Sequence, residues 1–308
     1  VLSGCVITYV ASEREITLRE YALSRVARIY SVAIPALLFC ILADQTFIAA
    51  GNEADLPLYQ YKSFWKYLIL DLSFTTDHWF IGEDAFSIGG WWSLSYEVWY
   101  YVLFATAFFT RGWKRWMGTA VVALVIGPKL LALFPLWIAG SFVYLLQQRT
   151  QLRPRLAMAI MMGSVLSVVL AIEADASSGI NDWADALSGD WISTHLRFSQ
   201  WFLGDILLGV LFAASIFAAR FARLNFGAWH DPIRYVASFT FTFYLVHGVV
   251  LRSCVRQLGL GLVPTTIAVI GFSFLFGLAT EHRKDQLRRL LSFLLSLSAV
   301  KLRRWLVM

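Results

Sequence analysis

Charge is scarce in this chain. Only 15% of its 308 residues are Asp, Glu, Lys or Arg, against about a quarter in soluble domains, while 58% are hydrophobic and mean hydropathy is +0.63. That shortage excludes an ordinary soluble fold and reads as a polytopic, all-α membrane protein. Cysteine is scarce too. Cys5, Cys40 and Cys254 lie far apart in or beside apolar runs, without a C-x-x-C pair or a histidine at ligand spacing, so neither a disulfide framework nor a metal site is expected. The net charge of +6 does not point to nucleic acid, because the bases cluster in short segments between apolar runs. There they act as topology signals.

Long apolar runs are what the chain has in abundance. The run Gly90 to Thr110, GWWSLSYEVWYYVLFATAFFT, is long enough to cross the hydrocarbon, which takes about 20 residues at roughly 1.5 Å each. It holds one charge, Glu97. Insertion scales place an acid at mid-span near +3 kcal/mol, so such a residue normally faces a protein interior or a cavity and carries a task. Ser93, Ser95, Trp92, Trp99, Tyr100 and Tyr101 are expected around it as ligand-binding hydroxyls and aromatic faces.

Other spans are expected over Ile29 to Ala50, Leu156 to Ala171, Phe198 to Ala219, Tyr235 to Leu251 and Leu262 to Ala279. The bases that follow Ala11, together with Arg111, Lys114, Arg115, Arg149, Arg153, Arg155, Arg220, Arg223 and the basic tail, fall on one side if the segment after Ala11 is cytoplasmic. Both Arg28 and Arg111 must then lie inside. That parity leaves Phe64 to Ile81 as a re-entrant or outer-face segment, in an acidic stretch with Glu53, Asp55, Asp71, Asp77, Glu83 and Asp84. It also makes Trp116 to Leu146 a hairpin with Pro128 and Lys129 at its outer turn, and Glu173 to Asp190 an acidic loop. About nine crossings result, in a membrane domain over 1–280. Residues 281–308 are expected to form a basic amphipathic tail on the anionic inner leaflet. Because Val1 opens in the middle of an apolar segment, one further helix is expected upstream, making about ten.

Besides Glu97, three ionisable residues fall inside the spans: Asp44, Asp205 and His247. All lie roughly 6 to 12 Å from the outer ends of their helices, so the four are expected to line one outward-facing pocket for a hydroxyl-bearing acceptor. On the inner side, Arg25 and Arg28 stand at i and i+3, a spacing that suits a grip on phosphate groups.

Trp92-Ser93-Leu94-Ser95-Tyr96-Glu97 followed by Tyr100-Tyr101 resembles the W-S-L-S-x-E-x-x-F-Y signature of acyltransferase family 3, bacterial membrane O-acyltransferases that modify polysaccharides, lipopolysaccharide and small acceptors. Val1-Leu2-Ser3-Gly4 resembles the family's V-L-S-G-F segment, and Ser24 to Ser31 its R-R-x-x-R-I-x-P motif, with serine at both ends. Ser238 to Val250 is similar to its S-x-S-x-Y-L-x-H pattern. The resemblance implies ten spans in the bacterial inner membrane and no permanently bound cofactor. It implies transfer of an acyl group, most often acetyl, from cytoplasmic acyl-CoA to a carbohydrate or glycolipid hydroxyl, with the base a histidine upstream of Val1. Without that helix the chain is expected to be inactive. Glu97 would orient the base or acceptor, Arg25 and Arg28 would hold the donor, and Ser93, Ser95, Tyr101, His247, Asp205 and Asp44 would meet the acceptor. A glycan or glycolipid transporter, or flippase, with the buried acids as proton relay is the alternative.

Overall fold

The computed structural model describes residues 1–52 and 56–306, with side chains described through Ser296. Glu53 and Asp55 lie outside the described residues. The helices are α1 (Leu2–Glu13), α2 (Leu18–Ala49), α3 (Leu58–Lys62), α4 (Phe64–Ser73), α5 (Trp91–Phe109), α6 (Trp113–Arg149), α7 (Pro154–Glu173), α8 (Ala176–Ser188), α9 (Trp191–His195), α10 (Phe202–Ala219), α11 (His230–Ala237), α12 (Thr240–Arg252), α13 (Leu262–Ala279) and α14 (Lys284–Leu306). Among the described residues the only β-type pairing is one isolated bridge, Ala85 to Ile88.

Five segments are long and apolar enough to cross a bilayer: α2, α6, α7, α10 and the run Leu262–Ser296. A sixth arises if Gly227–Ala237 and Thr240–Gln257, bent by 53°, form one broken span. The protein is a multi-pass, all-helical membrane protein. Length and composition alone thus give fewer spans than the nine expected, for identifiable reasons. α1 has 12 residues, α5 carries Glu97 among hydroxyls and aromatics, and α6 is two helices joined at a break. α4 has ten residues, about 15 Å, too short to cross alone.

Two compact units divide the chain. The first comprises Val1–Ile16, Phe74–Glu83 and Ser95–Phe226. Here α1 lies on α6 with the backbones touching: a Cβ on Gly4 would sit 1.9 Å from the Trp137 carbonyl oxygen, and one on Gly140 1.8 Å from that of Val1. Only glycine allows that approach. α10 packs on α6, α7 and α8. The expected loop Glu173 to Asp190 is therefore largely a helix. Ser177, Asn181 and Ala184 recur at helical spacing, and Asn181 Oδ1 accepts the Gly204 backbone N–H at 3.0 Å. An acidic composition hid a face that α10 covers.

The break in α6 has a specific cause. Gly127 takes φ +77°, ψ −179°, and Pro128 has no N–H to offer the Leu124 carbonyl. The Trp79 indole replaces it, donating from Nε1 to Leu124 O at 2.6 Å. Lys129, expected at the outer turn, is buried at 6% exposure, its Nζ donating to Ile81 O at 2.8 Å.

The second unit comprises Thr17–Ser73, Asp84–Leu94 and Gly227–Met308. α2 starts at a capping box in which Glu20 N–H donates to Thr17 Oγ1 at 3.2 Å and Thr17 N–H to Glu20 Oε2 at 3.3 Å. α12 packs on α2 and α13, around Phe39, Val250, Cys254, Val269 and Phe272. Its N-terminus is capped from outside, by buried Glu281, which accepts from the Thr242 N–H at 3.3 Å and hydroxyl at 2.9 Å. The tail forms α14, which packs on α2. The side chains of Lys301, Arg303 and Arg304 lie outside the described residues.

Candidate functional site

In the first unit, α5 presents Glu97 half-buried, and two hydroxyls converge on one of its oxygens. Ser3 Oγ donates to Oε1 at 2.7 Å, and the Tyr101 hydroxyl, one turn along α5, donates to the same atom. Trp137 Nε1 donates in turn to Ser3 Oγ at 3.3 Å. Ser3 reaches the acid because Gly4 and Gly140 bring α1 against α6. Oε2 accepts no hydrogen bond from a described residue, so half of the carboxylate remains open to an imidazole N–H or an alcohol.

Of the residues expected around Glu97, Tyr101 is there and others are not. Ser95 is fully buried and paired with Thr76 at 3.2 Å. Two residues along a helix is about 200° of rotation, which turns Ser95 away from the acid. Trp99 is turned likewise, its Nε1 donating to Phe74 O at 2.9 Å. Asp205, on α10 in the same unit, is half-buried and makes no side-chain hydrogen bond or ion pair with a described residue.

This unit holds a second polar cluster, outside the expected site residues. Buried Asp77 pairs with Arg197 at 2.9 Å, and Arg197 also donates to Glu83 O at 3.0 Å. Ser199 bonds Tyr96 at 3.0 Å and Lys129 O at 2.7 Å. Beside it His78 is buried against Trp99, and desolvation pushes its pKa down to about 4. The run Thr75-Thr76-Asp77-His78-Trp79 was the available signal: two chargeable groups between hydroxyls and an aromatic.

The second unit holds the remaining expected residues. Asp44 has no exposed surface, and its carboxylate accepts from Arg252 at 2.5 Å, Ser87 at 2.6 Å and Tyr61 at 2.7 Å, with Cys40 Sγ at 3.8 Å. Burial, and then the acid it donates to, hold the Tyr61 phenol well above its ordinary pKa, so it stays a donor. Asp44 thereby ties α2, α3, the Ser87 loop and α12 together. Ser93 shares a 2.7 Å hydrogen bond with Tyr244. His247 sets Nδ1 against its own helix, 3.0 Å from Phe243 O and 2.8 Å from Tyr244 O. Carbonyls only accept, so Nδ1 carries a proton, and in that neutral tautomer Nε2 presents a lone pair.

Arg25 and Arg28 do not share an environment. Arg25 is buried at 7% exposure, its guanidinium over the Tyr21 ring and donating to Ser24 Oγ at 3.2 Å, whereas Arg28 is exposed. A 60° offset between i and i+3 suffices to put one inside and one out.

The family model for the acyltransferase domain of acyltransferase family 3 matches residues 1–282. The chain belongs to acyltransferase family 3. The match includes both units' polar centres, with Glu97, Asp44 and His247, and it makes the protein a membrane acyltransferase. No curated protein and no solved structure matches the chain.

Proposed function

We propose that this family 3 acyltransferase moves an acyl group, acetyl foremost, from cytoplasmic acyl-CoA to a hydroxyl of a cell-surface carbohydrate or glycolipid. It would do so in the bacterial inner membrane, crossing about nine times over 1–280, with residues 281–308 on the inner leaflet. The observation that carries this reading is the half-engaged Glu97. Ser3 and Tyr101 fix Oε1, and the open Oε2 orients either the imidazole that takes the proton or the alcohol that loses it. The alcohol oxygen then attacks the thioester carbonyl, the C–O bond forms, the C–S bond breaks, and the CoA thiolate leaves to be protonated. Arg28, exposed on α2, is the better placed of the two arginines to meet the donor's phosphates. Ser93, Tyr244 and His247 supply hydroxyls and a lone pair for the acceptor, and Asp205 an acid still without a partner.

The test uses full-length protein in nanodiscs with labelled acetyl-CoA and a glycan and glycolipid extract. Label on the extract is the expected result. Donor-independent movement of glycolipid across vesicles, with no label transferred, would replace the reading by a proton-coupled transporter.

A further inference from the structure

The loop 74–83 of the first unit is held in a shape its residues resist. Phe74 and Trp79 take φ of +56° and +47°, a region that bulky side chains avoid and that clusters at functional sites. Four clamps keep it there: Trp99 Nε1 on Phe74 O, Arg197 on Asp77, Trp79 Nε1 on Leu124 O, and Lys129 Nζ on Ile81 O.

Between the two strained residues sits His78. It is 6% exposed, its Nε2 is fully buried without a hydrogen-bond partner, and its ring stands edge-on to Trp99 with centroids 4.7 Å apart. Buried polar atoms are almost always paired, and an exception held by a strained, multiply clamped loop calls for a ligand. Burial keeps the ring neutral, so it has one N–H and one lone pair. Those are the capacities of an alcohol, which also donates once and accepts. The aromatic face of Trp99 beside it suits the apolar face of a sugar ring.

We infer that His78, against Trp99, binds a hydroxyl of a polyhydroxylated acceptor, which completes the hydrogen bonding of its buried nitrogen. This rests on the acyl-transfer reading for the identity of the alcohol and adds a residue that contacts it. Since the unliganded imidazole has no partner at Nε2, replacing it with a ring of similar shape costs the fold nothing.

The experiment compares wild type, His78→Phe and His78→Gln as full-length protein in nanodiscs. Thermal midpoint, transfer from labelled acetyl-CoA to the glycan extract, and quenching of tryptophan fluorescence by that extract are measured. His78→Phe should keep or raise the midpoint and leave the KM for acetyl-CoA unchanged. Its transfer should fall at least tenfold, and glycan-dependent quenching should be lost. His78→Gln, which retains a donor and an acceptor, should recover part of both. Wild-type transfer in His78→Phe, or a lowered midpoint revealing a structural partner, would overturn the inference. If wild type transfers no label, the acyl-transfer reading fails on its own account. Quenching then decides for His78: loss in His78→Phe sustains glycan binding, and unchanged quenching ends it.

Discussion

Asp44 and Glu97 are both acids within apolar helices, yet their surroundings differ in kind. Asp44, in the second unit, has an arginine, two hydroxyls and a thiol around it and no exposed surface. Glu97, in the first, has two hydroxyls on a single oxygen and partial exposure. A carboxylate with both oxygens bonded and no exposed surface serves the fold. One that is held by half and open by half is fixed in place for something else.

Arg252→Ala has the largest expected effect. It leaves the Asp44 charge buried without its counter-ion, a loss of about 3–5 kcal/mol, so the thermal midpoint in detergent should collapse. An unchanged midpoint would show that Asp44 does not depend on that pair. Glu97→Gln separates charge from fold at the other acid. The amide keeps an acceptor for Ser3 and Tyr101, so the midpoint should hold, while acyl transfer drops on the order of 100-fold if the charge orients the proton acceptor. Wild-type turnover would remove Glu97 from the chemistry.

A smaller effect follows from His78. Its folded pKa of about 4 lies below the ordinary value of 6.5. Below pH 6.5 the unfolded chain therefore takes up a proton that the folded chain refuses. Stability is lost as pH falls from about 6.5 towards 4, on the order of 2 kcal/mol between pH 7 and 5. Thermal scans across that range should show the decline, and His78→Phe should remove this share of it. An identical slope in the two proteins would mean that His78 is not held neutral.

The fold class was legible because scarcity of charge and length of apolar runs are properties of composition, which tertiary structure does not alter. Tyr101 was legible as well, four residues from Glu97 and so one turn away. Ser95 could have been excluded by the same count, since two residues lead to the far side of a helix. Ser3 could not be assigned to the acid, because its contact spans 94 positions and depends on two glycines meeting. The partners of Asp44, up to 208 positions away, were hidden for the same reason. α8 is hidden in the sequence because its acids do face water, Asp182 among them, while only Ser177, Asn181 and Ala184 lie on the side that meets α10.

The glycine crossing of α1 and α6 also sets an order of events during biosynthesis. Ser3 leaves the ribosome long before Glu97, but nothing holds it in register until Gly140 has been made. At roughly 5–20 residues per second, synthesis of the forty or so residues between Glu97 and Gly140 takes about 2–9 s. For that interval Tyr101, its neighbour on the same helix, is the acid's only one of these partners. Synthesis thus installs the tyrosine bond first and the serine bond second.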